Sequence, residues 1–562
     1  MSTHTVELIS KERAEMLTTR VKSRTGQRPP VKDVSQRSPI GGTLDPYTGE
    51  WDYLQAGHLL RRAMIGPTKE QIESAVENGP EATVAELLAD LPLPEPPINY
   101  YFQEDPFTPV GETWIDKPFT QEFRNYRFRS LYGWTMGNML EEGVSIREMM
   151  TLFWHNHFVT AEINLPKAVY QYITLLREYA LGNFRELTKQ ITVNPSMLAY
   201  LNGSQNTKFA PNENYARELL ELFVLGKGDL AGPGDYTTFT EEDVQAISQI
   251  LTGWRIRFIA DDGSMPQGFF NGFFHSEGSK QLSHRFDQAV IQENGDQEYK
   301  DLIDVLFEHP EASRFICRKL YRWFVYYKID EAIEQNVIEP MAQILRDNDF
   351  NVKPVLEALL KSEHFYDANS IGCIIKNPIE FILANSKQFN IPFPQNINQR
   401  YALWVGLFRT TELLQMVYYF PPSVAGWKAF HQEPTYNQMW INTVTLILRQ
   451  EYSDGIALSL FSVFDQPWGI PALEFIAGMD NPLNPNDLIR SIAGVIYPQP
   501  IEQPQIDELK EVLIPGLPDE EWTIEYQMYL DNPNDEGIRL TVQSKVRALL
   551  RAMLARPEYH LS

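Results

Sequence analysis

Histidines, acids and an arginine gather in three separate phrases of this sequence, and their spacing sets the chemistry each could do. His155 and His157 stand two residues apart in FWHNHF. On a regular helix at about 100° per residue they point to nearly opposite sides, so they share one metal only where the helix ends between them. The other reading is a core histidine bonded to a carbonyl. Glu213, Arg217 and Glu221 in NENYARELLEL follow i, i+4, i+8, a charge ladder along one helical stripe. Glu218 and Glu221 are i, i+3, which sets two carboxylates side by side as in metal sites of helical bundles, although no Glu-x-x-His motif accompanies them. Arg217 beside Asn212 and Asn214 reads either as an anion-binding guanidinium at a helix start or as an internal clamp. His275 lies in the loop HSEGSK with Glu277 and Lys280, beside His284. Loops carry functional groups more often than helices do, which makes His275 the leading candidate for a general base or ligand.

The expected site therefore has His275, Glu218 and Arg217 as catalytic groups and His155, His157, Glu213 and Glu221 as ligands of a divalent metal. It lies where the FWHNHF helix, the NENYAREL helix start and the HSEGSK loop converge. Such a site belongs to a metal-dependent or acid/base enzyme. The alternative is a non-catalytic interaction or assembly protein in which the same residues form a buried polar network. No nucleophile elbow, phosphate loop, dinucleotide fingerprint, HExxH or EF-hand loop is visible.

The elements that must position these groups read as helices. Thr68 caps TKEQIESAVENG, Pro80 opens PEATVAELLADL, and Ser145 stands at capping-box distance from Glu148 before MMTLFWHNHF. A run from Thr120 to Glu142, then VYQYITLLREYA and FRELTKQIT, keeps the 3.6-residue period. The stretch Asn194 to Trp254 packs Asn202, Asn206, Asn212 and Asn214 around a helix start, which predicts a hydrogen-bonded junction rather than a plain linker. The Gly- and Phe-rich segment from Arg257 to Phe286 is the one non-helical excursion, a short hairpin or irregular lid. Helices return from Gln297 onward. The fold class is all-α, a large multi-helix body with long loops and at most a minor β-hairpin. Residues 1–50 read as an arm, 51–450 as the body and 451–562 as a helical extension packed on it.

The 49 Lys+Arg against 74 Asp+Glu give a formal charge of -25, so the average surface repels nucleic acid and anionic lipid. Cys317 and Cys373 are the two cysteines and form no zinc pattern, so both read as buried thiols. The first residues carry no apolar run of signal-peptide length and no twin-Arg pair, and no span of about 18 apolar residues occurs anywhere. A cytoplasmic location is expected, with export as a passenger on a signal-bearing partner as the alternative.

Several phrases taken together resemble an uncharacterised bacterial family, domain of unknown function 1800. They include HLLRRAMIGPT from His58, FWHNHF from Phe153, NPSMLAYLNG from Asn194, NENYARELLELFVLG from Asn212 and TEEDVQAISQILTGW from Thr240. HSEGSK from His275, HPEASRFICRKLYRWFV from His309, LLKSEHFYD from Leu359, NPIEFI from Asn377 and PPSVAGWKAFHQEPTYNQMWINT from Pro421 follow in the family's order. The resemblance implies a predominantly helical protein, often exported, often encoded beside an uncharacterised partner family resembling alkaline phosphatases and sulfatases. This chain departs from the pattern in lacking the export signal and in a longer loop after Gly228. It also carries KAFHQEPTYNQM in place of the Gly-rich turn after the AGW.

Overall fold

Helix starts are set locally. Asp52 accepts from the Leu54 amide to open α1 (Tyr53–Ala63), and Thr68 with Gln71 forms a reciprocal capping box at α2 (Lys69–Leu87). Within α2 the chain kinks at Gly79, φ 80°, immediately before Pro80, as a proline that cannot continue the ladder requires. The computed structural model describes residues 8–9, 40–101, 104–259 and 263–562. Most of the arm expected at residues 1–50 lies outside the described residues. The part from 40 to 50 runs along the body, with the Tyr47 amide donating to Lys361 O.

The protein is mostly α-helical. The next helices are α3 (Arg124–Glu141), α4 (Arg147–His157), α5 (Pro166–Glu178), α6 (Phe184–Thr192) and α7 (Pro195–Tyr200). The long α3 lies against α15 (Ile397–Leu413) at a crossing that glycine makes possible. A Cβ on Gly133 would meet Tyr401 Cδ1 at 2.8 Å and one on Gly137 would meet Trp404 Cζ3 at 2.6 Å. Ser145 does not form the expected capping box, because Glu148 is turned inward. Its carboxylate accepts from Arg177 of α5 at 2.6 and 3.0 Å, and both side chains are buried. A fork-on-carboxylate bond in the core outcompetes the local cap.

Helix α8 (Asn214–Glu218) continues without a break into a π-turn (Leu219–Val224). The pair β1 (Leu230–Gly232) and β2 (Asp235–Tyr236) follows, and then α9 (Glu241–Ile250). Strands β3 (Trp254–Arg257) and β4 (Gln267–Phe270) form the hairpin that the Gly/Phe-rich segment predicts, in register Trp254 opposite Phe270. Strands β5 (Lys280–Gln281) and β6 (Val290–Ile291) form another two-stranded sheet. Helices α10 (Glu298–Glu308), α11 (Pro310–Phe324), α12 (Glu339–Asp347), α13 (Val352–Leu360) and α14 (Pro378–Gln388) precede α15.

After α15 come α16 (Thr445–Ala457), the pair β7 (Phe461–Val463) and β8 (Gln466–Trp468), and α17 (Ala472–Ala477) to α21 (Glu536–Leu554). The Asp531–Asp535 turn ends in a helix cap, with Asp535 accepting from the Ile538 amide. Chain distant in sequence returns to the first helix, since Arg61 of α1 donates to Val495 O. One continuous set of buried apolar side chains runs through both. Among the described residues no helix is long and apolar enough to cross a membrane.

Candidate functional site

The three phrases expected to converge form three clusters. The first holds the ends of α4. His155 is buried with Nε2 2.6 Å from Tyr418 O, and burial pushes its imidazole down to about 4 against the pull of that bond. His157 turns the other way, as a spacing of two on a helix dictates. Its Nε2 lies 2.9 Å from Phe223 O, and Lys319 Nζ of α11 lies 3.0 Å from Nδ1. Burial, then the nearby Lys319, holds this imidazole well below the usual range. The π-turn supplies the acceptors. The amides of Leu225 and Gly226 both donate to Leu220 O, which leaves Leu222 O for Lys319 Nζ at 2.9 Å and Phe223 O for His157. Burial, then Arg322, pushes the half-buried Lys319 amine down to about 7.

The second cluster is the ladder of α8. Arg217 donates both terminal nitrogens to Glu241 of α9, at 2.9 and 2.8 Å, and reaches Glu213 at 3.2 Å and Glu221 at 3.6 Å. About one third of its side chain is exposed, so it is a surface clamp between two helices and not a sealed one. Glu218 stands apart from this ladder. Burial, then the Glu221 charge, raises its carboxyl, and it acts by charge on the Tyr200 hydroxyl.

The third cluster is sealed. His275 Nε2 lies 2.9 Å from Glu298 Oε1, and its Nδ1 lies 2.9 Å from Thr252 O. Lys280 donates to Glu298 Oε2 at 2.7 Å and to Ser276 O at 2.6 Å. His275, Lys280 and Glu298 are all buried, Glu298 completely. Both ring nitrogens of His275 are thus engaged within the cluster, by Thr252 and Glu298. The asparagine-rich junction joins this cluster to α8. Asn206 Oδ1 accepts from the Asn212 amide at 2.9 Å, its Nδ2 donates to Ser248 O at 2.7 Å, and the Lys208 amide donates to Phe274 O at 2.8 Å.

The expected catalytic trio, His275, Glu218 and Arg217, is therefore divided among the sealed loop, the Tyr200 side of α8 and the surface ladder. The expected ligand set is divided as well: His155 and His157 hold carbonyls on opposite sides of α4, and Glu213 and Glu221 hold Arg217. Among the described residues no group of three or more His, Cys, Asp or Glu side chains is placed to hold a metal ion. Of the two thiols, Cys317 is buried and pushed up by that burial, while Cys373 is half-buried.

The open spaces lie elsewhere, on the two flanks of the β3–β4 hairpin. On one side a cleft of about 560 Å³ is lined by Phe119, Gln121, Arg124, Glu162, Asn164 and Tyr200, with Phe258 at its rim. On the other a cleft of about 500 Å³ runs between α5 and the start of α7, lined by Tyr170, Gln171, Gln190, Asn194 and Gln267. Both combine side-chain amides with aromatic rings.

A family model described as Protein of unknown function (DUF1800) matches residues 58–561. The chain belongs to the DUF1800 family. No curated protein and no solved structure matches it. The family match runs well past the phrases that carry the resemblance and takes in α16 to α21.

For this DUF1800 chain, spacing arguments miss Lys319, Glu298 and Glu241, the partners that decide what His157, His275 and Arg217 do. Lys319 is 162 residues from His157 and Glu298 is 23 from His275. No helical or strand period links positions so far apart. The one signal at hand was chemical, since a buried imidazole needs an acceptor or a charge supplied by another element.

Proposed function

We propose that this protein is an interaction protein whose motif histidines and arginines hold the helical body rigid, and whose binding surface is the pair of clefts beside the β3–β4 hairpin. The observation that carries this reading is the fate of four motif imidazoles. His58 faces Phe365 O at 3.0 Å, His155 faces Tyr418 O, His157 faces Phe223 O and His275 faces Thr252 O. Each fastens its own segment to the backbone of another, which is the work of a polar network that fixes packing. The clefts supply what the buried network does not. Amides offer paired donors and acceptors, aromatic rings offer flat apolar faces, and Arg124 and Glu162 balance in charge. That lining suits a neutral, polyhydroxylated ligand of oligosaccharide type. A chain of formal charge -25 also disfavours strongly anionic partners.

The test is calorimetric titration of the full chain with neutral oligosaccharides and with acidic ones of equal length. Neutral ligands are expected to bind, and Gln121→Ala, Asn164→Ala and Phe258→Ala to weaken binding at least tenfold with the unfolding midpoint unchanged. Absence of binding across the neutral panel, or equal binding by the three variants, refutes the reading.

A second reading, acid/base catalysis, is favoured by Lys319. Its amine is pushed down to about 7 by burial and Arg322, with two N–H bonds held by His157 Nδ1 and Leu222 O. Mass-spectrometric timing of amine methylation at pH 8 tests it. Lys319 modified ahead of the other lysines supports the reading, and modification no faster than at the sealed Lys376 counts against it.

A further inference from the structure

Where α1, α11 and α14 meet, the interior holds an excess of buried cations. Arg61, Arg62, Lys376 and Arg449 are each at most 5% exposed. Their hydrogen-bond partners among the described residues are backbone carbonyls and one thiol. Arg61 donates to Val495 O, Arg62 to Val325 O and Cys373 Sγ, Lys376 to Tyr559 O, and Arg449 to Lys376 O. None of the four is ion-paired with a carboxylate among the described residues. The acid on which Arg62, Lys376 and Arg449 act by charge is Glu380, and its Oε2 already accepts from the Asn377 amide and side chain, at 2.9 and 2.6 Å. Burial pushes Lys376 down to about 7 and Arg449 to about 9, a measure of how poorly this interior compensates positive charge.

A small cavity opens beside Arg62 and Glu380, lined also by Trp323, Asn377, Asn437, Trp440 and Ser562; of the four cations Arg62 alone lines it. It offers about 20 Å³ to the centre of a water-sized sphere, which is room for one small occupant. Three of its lining residues carry an N–H that no acceptor among the described residues receives: Arg62 Nε, Trp323 Nε1 and Trp440 Nε1. Each of these residues is at least nine-tenths buried. The two indoles are held in place by Phe430, whose ring stacks on Trp323 at 4.3 Å and meets Trp440 edge-on at 5.9 Å. Three buried donors at one cavity, a lining whose one cation Arg62 and one acid Glu380 are backed by the unpaired Arg61, Lys376 and Arg449, and two apolar indole rings together specify the occupant. It must accept hydrogen bonds from these donors, carry negative charge to offset the unpaired cations and be small.

We infer that this cavity is a binding site for a monatomic anion of the halide class, held by Arg62, Trp323 and Trp440. The inference is independent of the ligand assigned to the hairpin clefts.

The test measures thermal unfolding of the full chain in sodium chloride and sodium bromide, each against sodium gluconate at fixed ionic strength, with bromide anomalous scattering from crystals locating the ion. A saturable rise of the midpoint in halide, with a bromide peak between Trp323 and Trp440, is the expected result. Trp440→Phe and Trp323→Phe keep the aromatic packing and delete one donor each, and are expected to raise the half-saturating halide concentration at least tenfold. If either variant fails to fold, the wild-type anomalous peak still decides. No difference between halide and gluconate, bromide peaks on the outer surface only, or an ordered water without anomalous signal in the cavity overturns the inference.

Discussion

Replacing Glu298 by Gln removes one charge from the sealed loop cluster and leaves its shape nearly unchanged. The wild-type carboxylate accepts from His275 at 2.9 Å, Lys280 at 2.7 Å, and the amides of Asn294 and Gly295 at 3.1 and 3.3 Å. In the variant Lys280 remains a buried ammonium with Ser276 O as its remaining strong acceptor. Removing one partner of a buried pair costs about 3–5 kcal/mol, because the other charge stays desolvated. Urea unfolding followed by tryptophan fluorescence at pH 7 should show a loss of that size. Adding Lys280→Met to Glu298→Gln should recover at least half, since the stranded charge is then gone. The pH dependence fixes the mechanism. Burial works to raise the Glu298 carboxyl, but the bonds from Lys280, His275 and Asn294 outweigh it and hold the group below its usual range. Its contribution is then fully present above the unfolded carboxyl's value of about 4.3. It is lost as pH falls through the folded value, so the two proteins should converge in acid. A loss under about 1 kcal/mol at pH 7, or one that does not shrink in acid, refutes the ionic account of this cluster.

Gly137→Ala should lower stability by about 1–3 kcal/mol in urea unfolding, because its Cβ would stand 2.6 Å from Trp404 and overpack the α3–α15 crossing. Arg217→Ala should cost about 1 kcal/mol or less, since this guanidinium is one-third exposed and screened by water; a loss above about 3 kcal/mol would mark it as part of the core instead. The wild-type protein should lose stability between about pH 6.5 and pH 4. Burial holds the His155 imidazole at about 4 and that of His560 at about 3, so the unfolded chain takes up protons first as pH falls. His155→Gln should flatten that acid limb, measured as urea midpoints across the range.

Helix positions were legible because caps and period are local. Thr68 marks the start of α2, Pro80 marks its break, and FWHNHF ends where α4 ends. The family was legible from phrases that all lie within the matched residues 58–561. The site was not. The i, i+4, i+8 spacing of Glu213, Arg217 and Glu221 shows the ladder among the alternatives for Arg217, but its strongest partner, Glu241, comes from the next helix across a loop. Ser145 and Glu148 had the spacing of a cap, yet Arg177 from α5 claimed the carboxylate. His275 looked like an open loop base because it stands between Gly272 and Gly278 with Ser276 beside it. Its partner Glu298 begins α10, and the loop folds over both. In each case a bond to a residue on another element, buried for Glu148 and His275 and at the surface for Arg217, outweighed what local spacing suggested.

The π-turn after α8 carries one residue more than a regular helix would need over the same rise. Excising a single residue from Leu219–Val224 would therefore rewind the segment into ordinary helix. The carbonyls of Leu222 and Phe223 would swing by about 100°, away from Lys319 and His157. Relatives with the shorter segment should then also lack the lysine and the imidazole, so this one-residue insertion and its two distant ligating side chains should be inherited or discarded as a unit.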